Sequence, residues 1–375
     1  MLNGIHLTLM IGPAVPVAVS QDVLNALASL EVTNTAEGPS TFSLRFTLDK
    51  NSPLLTLFLV AGGASIPLVR VVVVVTVNGN SEVLIDGVMT HHQMAPGSGA
   101  QAPVLTIIGE DLTKVMDYID FTGFPFPAMP PEARVLVILA KYAMFGIIPM
   151  VIPSVLLDVP IPVQQIPRQN GKDLAYVQGL ADDVGYVFYM EPGPSPGQSV
   201  AYWGPDIKVG VPQPALNIDM DAQTNVESLN FTYNSEAARL PIVFIQEPNT
   251  KAIIPIPIPN ITPLNPPLGA IPPIPKDIAP IDETAKYSPI RAALIGLAQA
   301  AKSADVVSAT GSLDVLRYAN VLKARRLVGV RGAGSPFDGL YYVKSVTHNI
   351  KRGEYKQSFT LTRNGLISTF PKVPA

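Results

Sequence analysis

The sequence predicts an α+β protein, mainly β, built from two β-rich domains, a small α/β domain between them and a proline-rich insertion. Three observations carry this. Period-two alternation of apolar and polar residues dominates the first 112 residues and returns after residue 211. Residues 131–146 and 171–185 instead repeat apolar side chains at helical spacing. Twelve prolines crowd residues 241–280 and interrupt the second β-rich region. At 375 residues the chain also exceeds the roughly 250–300 that one core usually fills.

The first domain is expected over residues 1–112. "TFSLRFTLDK", 41–50, sets Phe42, Leu44, Phe46 and Leu48 on one face and Thr41, Ser43, Arg45 and Thr47 on the other, a half-buried strand. Further strands are expected at 69–77, 82–90 and 103–108, separated by "NGN" and by the "APGSGAQ" loop, with a short helix near "SQDVLNALASL".

The α/β domain is expected over 113–210. Pro131 and Glu132 open a helix whose stripe is Val135, Ile138, Leu139 and Tyr142, with Gly146 as its stop. A second helix carries Leu174, Val177, Ala181 and Val184, with Asn170 as candidate cap and Gly185 behind it. "YVFYM" and "SVAYWG" then read as strands.

The second β-rich domain is expected to combine residues 211–244 and 304–367, followed by a tail at 368–375. The insertion, 245–303, contains phrases such as "IIPIPIPNITPLNPP". Prolines cannot donate to a ladder, so this part is expected as extended, polyproline-like chain lying along a surface and joining the α/β domain. "SPIRAALIGLAQAAKSAD" reads as a helix, and residues 337–366 as strand, tight turn, strand.

There is no cysteine, which excludes disulfides and thiolate metal sites and fits assembly in a reducing bacterial cytoplasm. The first basic residue is Arg45, so the apolar start has no charged leader region. Mean hydropathy is +0.30, and two apolar stretches, 54–77 and 134–157, have the length of a membrane span. The first contains Gly62, Gly63, Pro67 and Arg70, and the second Lys141, Pro149 and Pro153, which favours a core or subunit interface over a membrane-associated β-rich protein.

No catalytic constellation is visible. His91 and His92 would point to opposite faces of a strand and have no third ligand at metal spacing. "DMDAQTNVESLN" fails as a calcium loop because its sixth position is Thr224 and its twelfth Asn230. "GVRGAG", 329–334, has the wrong glycine order for a dinucleotide fingerprint. Asp182 and Asp183 read as a solvated helix end, and Glu110, Asp111 and Glu132 are the bland candidates that a cell-wall hydrolase would need. No enzyme, metal or cofactor is expected.

Charge is asymmetric. Residues 1–290 hold 13 Lys and Arg against 25 Asp and Glu, whereas 291–375 hold 13 against 4. Such polarity steers an acidic partner or a second copy of the chain. Lys323, Arg325, Arg326, Arg331, Lys344, Lys351 and Arg352 are the candidate subunit or partner contacts. They alternate across strands without a nucleic-acid-binding motif, so specific nucleic-acid recognition is not expected.

The order of parts resembles a known family. "IDGVMTHH" with "VLTIIGEDLTKVMD", then "LAYVQGLADDVGYVFYM", then "GLYYVKSVTHNIKRGEYKQSFTLTRNGL" look like the late control protein D family of contractile phage tails. The hub half of type VI secretion spike proteins is similar. The resemblance implies that both β-rich domains are barrels of the tail-tube fold. It further implies a homotrimeric baseplate hub whose six barrels adapt a threefold spike to a sixfold inner tube. Its partners would be that tube or a tube initiator, other baseplate proteins and, since this sequence ends at "STFPKVPA", a separate central spike protein.

Overall fold

The structure, a computed structural model, describes residues 4–48, 68–97, 102–154, 166–246, 252–258, 265–281, 289–302 and 305–369. Residues 54–67 of the first apolar stretch, 155–157 of the second, parts of the proline-rich insertion and the tail beyond 369 lie outside them. The protein is mainly β, with 49% strand and 17% helix. No helix among the described residues is long and apolar enough to cross a membrane.

The N-terminal region contains β1 (Ile5–Gly12), β2 (Val17–Ala18), α1 (Gln21–Ala26), β3 (Leu27–Thr35), β4 (Thr41–Thr47), β5 (Arg70–Val77), β6 (Asn80–Ala95) and β7 (Val104–Asp111). Its strands pair antiparallel in the order β3-β4-β7-β6-β5-β1-β2. In β5, Val71, Val73, Val75 and Val77 enter the main core, while Arg70, Val72 and Val74 on the other face are buried as well. Each fully buried valine contributes about 1.5–3 kcal/mol, which is why this strand has no polar alternation. Asn78 and Gly79 turn β5 into β6 with φ of 50° and 84°, the left-handed pair that a two-residue hairpin requires.

The middle region begins at Asp111, which caps a 3-10 turn over Leu112–Asp117. It continues with α2 (Pro131–Ala140), β8 (Ile147–Val151), α3 (Asp173–Asp182), β9 (Val187–Pro192) and β10 (Ser199–Gly204). The order β8-β10-β9 makes a small mixed sheet. The helices cover it with Val135, Ile138, Leu139, Val177 and Ala181 around the single tryptophan, Trp203. Gly146 takes φ 69° and ends the turn that follows α2. The cap of α3 is Lys172, two residues beyond Asn170, because the chain is still extended there.

The C-terminal region contains β11 (Gln213–Asn217), β12 (Ser228–Tyr233), β13 (Arg239–Gln246), β14 (Ile253–Pro257), β15 (Gly269–Ile271), β16 (Asp277–Ile281), α4 (Pro289–Lys302), β17 (Val307–Asp314), α5 (Val315–Tyr318), β18 (Leu327–Arg331), β19 (Gly339–Lys351), β20 (Glu354–Arg363) and β21 (Leu366–Ser368). Strands β11, β12 and β17–β20 join β1–β7 in one 13-stranded sheet. Parts of the proline-rich stretch are strand and not free polyproline-like chain. A sheet in the order β14-β13-β16 accommodates Pro255, Pro257 and Pro280 on edge strands that need no second set of donors, β15 pairs with β21, and Pro272, Pro273 and Pro275 lie outside strands. Pro241, on the central strand, still accepts from the Ile258 N–H at 2.9 Å. Helix α4 packs on this sheet at Gly296, where a Cβ would come within 2.8 Å of Val243. Arg291 ties the helix to the end of α3 through the Asp183 carboxylate at 2.8 Å.

Candidate functional site

The closing hairpin is the seam of the molecule. The first part of β19 pairs with β18 through Leu340–Tyr342, and its second part pairs with β3 from Ser345↔Thr35 to Lys351↔Ser29. A bulge between Val343 and Ser345 marks the change, and a bulge bends and twists the strand that carries it, here where β19 passes from one partner to the next. On its other side β19 pairs with β20 along most of its length, around the tight turn at Arg352 and Gly353. Thus the last hairpin joins the N-terminal and C-terminal β-regions into one continuous ladder.

His348 lies inside this seam, with Nδ1 2.8 Å from the Tyr355 hydroxyl and 3.3 Å from the Gln357 amide, which also bonds both backbone groups of Leu322. Burial pushes the imidazole down to about 3. Between that value and the ordinary 6.5 the unfolded chain binds a proton that the folded one does not. Stability is therefore expected to fall as pH drops through this window, by roughly 1.4 kcal/mol per pH unit. Urea midpoints measured against pH test this: His348→Gln should flatten the slope, and an unchanged slope would refute the assignment.

A second junction links the N-terminal sheet to the turn between β9 and β10. Arg70 stands at the start of the valine strand and reaches diagonally to Asp86, with Nε to Oδ1 at 2.7 Å and Nη2 to Oδ2 at 2.6 Å. Its remaining donors bond the carbonyls of Ala14 at 2.6 Å and Gly197 at 2.9 Å, and Ser199 donates to Asp86 at 3.3 Å. Burial raises the Asp86 carboxyl above its usual range, against the opposing pull of Arg70. Only half of this pair had a sequence signal: Arg70 is the single charge in the valine strand, whereas Asp86 lies in a strand that also carries Glu82 and several polar residues.

The seven basic candidates separate into distinct environments. Lys323 meets Glu82 at 2.7 Å, and Lys344 meets Glu37 at 3.2 Å. Arg325, with φ 60°, is buried and lies over the Tyr189 ring at 4.1 Å, with Glu191 3.6 Å from Nη1. Arg326 is also near Glu191, at 3.9 Å. These two arginines link the C-terminal β-region to Glu191 of β9 and line a cleft of about 570 Å³ with Lys208 and Tyr342. Arg331 ends β18 opposite Asn217. Lys351 and Arg352 stand apart at the hairpin tip, without a carboxylate partner among the described residues; Arg352 donates to the Asn25 carbonyl.

Other polar candidates have structural partners. Asp111 accepts from the Ser40 N–H at 2.6 Å and the Thr113 N–H at 3.0 Å. Glu110 lies 3.9 Å from Lys114. Asp183 takes Arg291, as above, and Asp182 closes α3. A bulge precedes His91, whose ring contacts only the Thr90 hydroxyl at 3.1 Å among described side chains. Asp219 and Asp221 sit in a turn with φ of 52° and 49°. Glu132 has one buried oxygen without a hydrogen-bond donor among the described residues. No group of three or more His, Asp or Glu among the described residues could hold a metal ion.

In these geometries buried polar side chains fasten the β-regions to one another and to the small mixed sheet. No family model and no curated protein matches the chain. Solved structures do match along its whole length. The tail protein from Neisseria meningitidis MC58 aligns over 97% of this chain and 98% of its own, with TM-score 0.62 at 12% identity. The 43 kDa tail protein of prophage MuSo2 from Shewanella oneidensis aligns over 96% and 98%, with TM-score 0.61 at 13% identity. The Francisella PdpA–VgrG complex in its half-lidded form covers 100% of this chain and 60% of that one, with TM-score 0.58 at 10% identity. The fold is therefore that of phage tail proteins and of part of a chain in the PdpA–VgrG complex, and the resemblance to the contractile tail-hub family holds at the level of fold.

Proposed function

We propose that the chain is a structural hub subunit of a contractile tail or injection particle, assembled in the bacterial cytoplasm. Three copies would form a ring that adapts a trimeric central spike to a hexameric inner tube or its initiator, in contact with other baseplate proteins. In this reading residues 1–112 form one tube-like barrel, and 211–244 with 304–367 form the other. Residues 113–210 are the small α/β domain, to which the insertion 245–303 is joined.

The observation that carries the reading is β19. A single strand pairs with both β-regions, so each chain delivers two rigidly coupled β-units and three chains deliver six. Exposed apolar side chains in the lone chain agree with burial between subunits: Met144 is 66% and Val211 90% exposed, and Ile148 and Met150 line the edge strand β8. The fold match over nearly the full length of two tail proteins supports the same assignment.

Native mass spectrometry with particle imaging, in detergent-free buffer, tests it. A species of three times the 39.9 kDa chain mass with six similar lobes is expected. A species that stays monomeric at its highest soluble concentration, or dissolves only in detergent, would overturn the ring.

A further inference from the structure

We propose that the groove at the tip of the closing hairpin is a docking site for a segment of a separate polypeptide that presents an apolar side chain flanked by carboxylates. The inference deepens the hub reading, and rests on it for placing the partner within the same particle. The groove, of about 540 Å³, lies between α1, the starts of β1 and β3 and the hairpin turn. That volume takes a short peptide stretch rather than a domain face. Its apolar wall is Leu7, Leu24, Leu27 and Ile350, of which Leu7 and Leu24 remain half-buried.

Its charge is one-sided. Lys351 and Arg352 line the rim, and no Asp or Glu lines the groove among the described residues. Glu354, which faces Lys351 in the hairpin register, is held 3.5 Å from Lys356. Asp22 and Glu31 belong to the flanking elements but do not line the groove. By contrast, Lys323 pairs with Glu82, Lys344 with Glu37, and Arg325 and Arg326 share Glu191. The bond from Arg352 to the Asn25 carbonyl anchors the guanidinium at the rim while leaving its charge unneutralised. Apolar wall and unneutralised rim together select an acidic-apolar segment, because charge complementarity sets orientation and apolar burial supplies affinity.

Panning a random peptide library on the immobilised full chain, followed by fluorescence-anisotropy titration of the enriched peptides, tests this. Enriched peptides should carry an apolar residue beside Asp or Glu, and their affinity should fall as salt rises. Lys351→Glu with Arg352→Glu should weaken them roughly tenfold or more. Ala28→Trp, at an exposed position in the groove, should block them without disturbing the core. Failure to enrich, enrichment of peptides lacking acidic or apolar residues, or unchanged binding to both variants would overturn the site. Native mass spectrometry of the same proteins separates the two readings. Loss of peptide binding in an intact ring isolates the groove, whereas a wild type that never forms a ring overturns the hub and not the groove.

Discussion

Asp86→Ala is expected to lower stability by about 3–5 kcal/mol, the usual cost of stripping a buried ion pair of one partner. Arg70 would keep its charge in a site where it is 2% exposed, with only the Ala14 and Gly197 carbonyls to share it. Replacing both members, Arg70→Met with Asp86→Leu, should recover most of the loss, because the desolvation penalty of both ions disappears with them. The double variant would still lack the bond to Gly197, so the turn between β9 and β10 should become more sensitive to protease while the melting temperature recovers. Equal destabilisation by the single and double variants would mean that packing at these positions, and not the uncompensated charge, sets the stability.

Gly109→Val should cost at least about 3 kcal/mol and sharply reduce soluble yield. A Cβ at Gly109 would lie 2.3 Å from both the Phe42 ring and the Val88 carbonyl oxygen. Gly87, on the neighbouring strand, leaves as little room, with the Glu110 carbonyl 2.2 Å from where its Cβ would stand. Phe42 covers the two glycines, so ring and ladder fill the space that side chains would need. Phe42→Ala should consequently fail to rescue Gly109→Val, since the Val88 carbonyl still obstructs; rescue would show that the ring is the sole obstacle. Gly38→Ala is the comparison, at φ 79° with nothing within 4 Å of the added carbon, and should cost no more than about 1–2 kcal/mol. Thermal melts followed by circular dichroism separate these cases.

Alternation made β4 legible, and β5 was legible from its β-branched run, because in each the sequence reports directly which faces are buried. Strand β1 obeys the same rule, with Ile5, Leu9 and Ile11 buried, but its pairing with β5 across some 65 residues has no local signature. Strand β3 was hidden because its first residues continue the apolar spacing of α1, and tertiary pairing with β4 and β19 decides between helix and strand there. The prolines misled for a different reason. Composition reports the missing donors but not whether a strand is an edge, and at an edge the donors are not needed. For the candidate contacts, the basic character of residues 323–352 was legible, whereas their counter-ions were not. Glu191 and Glu82 are distant in sequence from Arg325 and Lys323, and only folding distinguishes charges already satisfied from those at the hairpin tip.

The shared strand also sets an order of events during synthesis. Thr35 of β3 pairs with Ser345, so the open edge of the N-terminal sheet waits for the ribosome to make the intervening residues. At roughly 5–20 residues per second that delay is about 15–60 s. During it β3 presents unpaired backbone donors and acceptors to every other nascent copy nearby, and long-range pairings of this kind are slow to form once the chain is free. The final hairpin therefore acts as a timed closure: misassembly is most probable before it emerges and falls once β19 has claimed the edge.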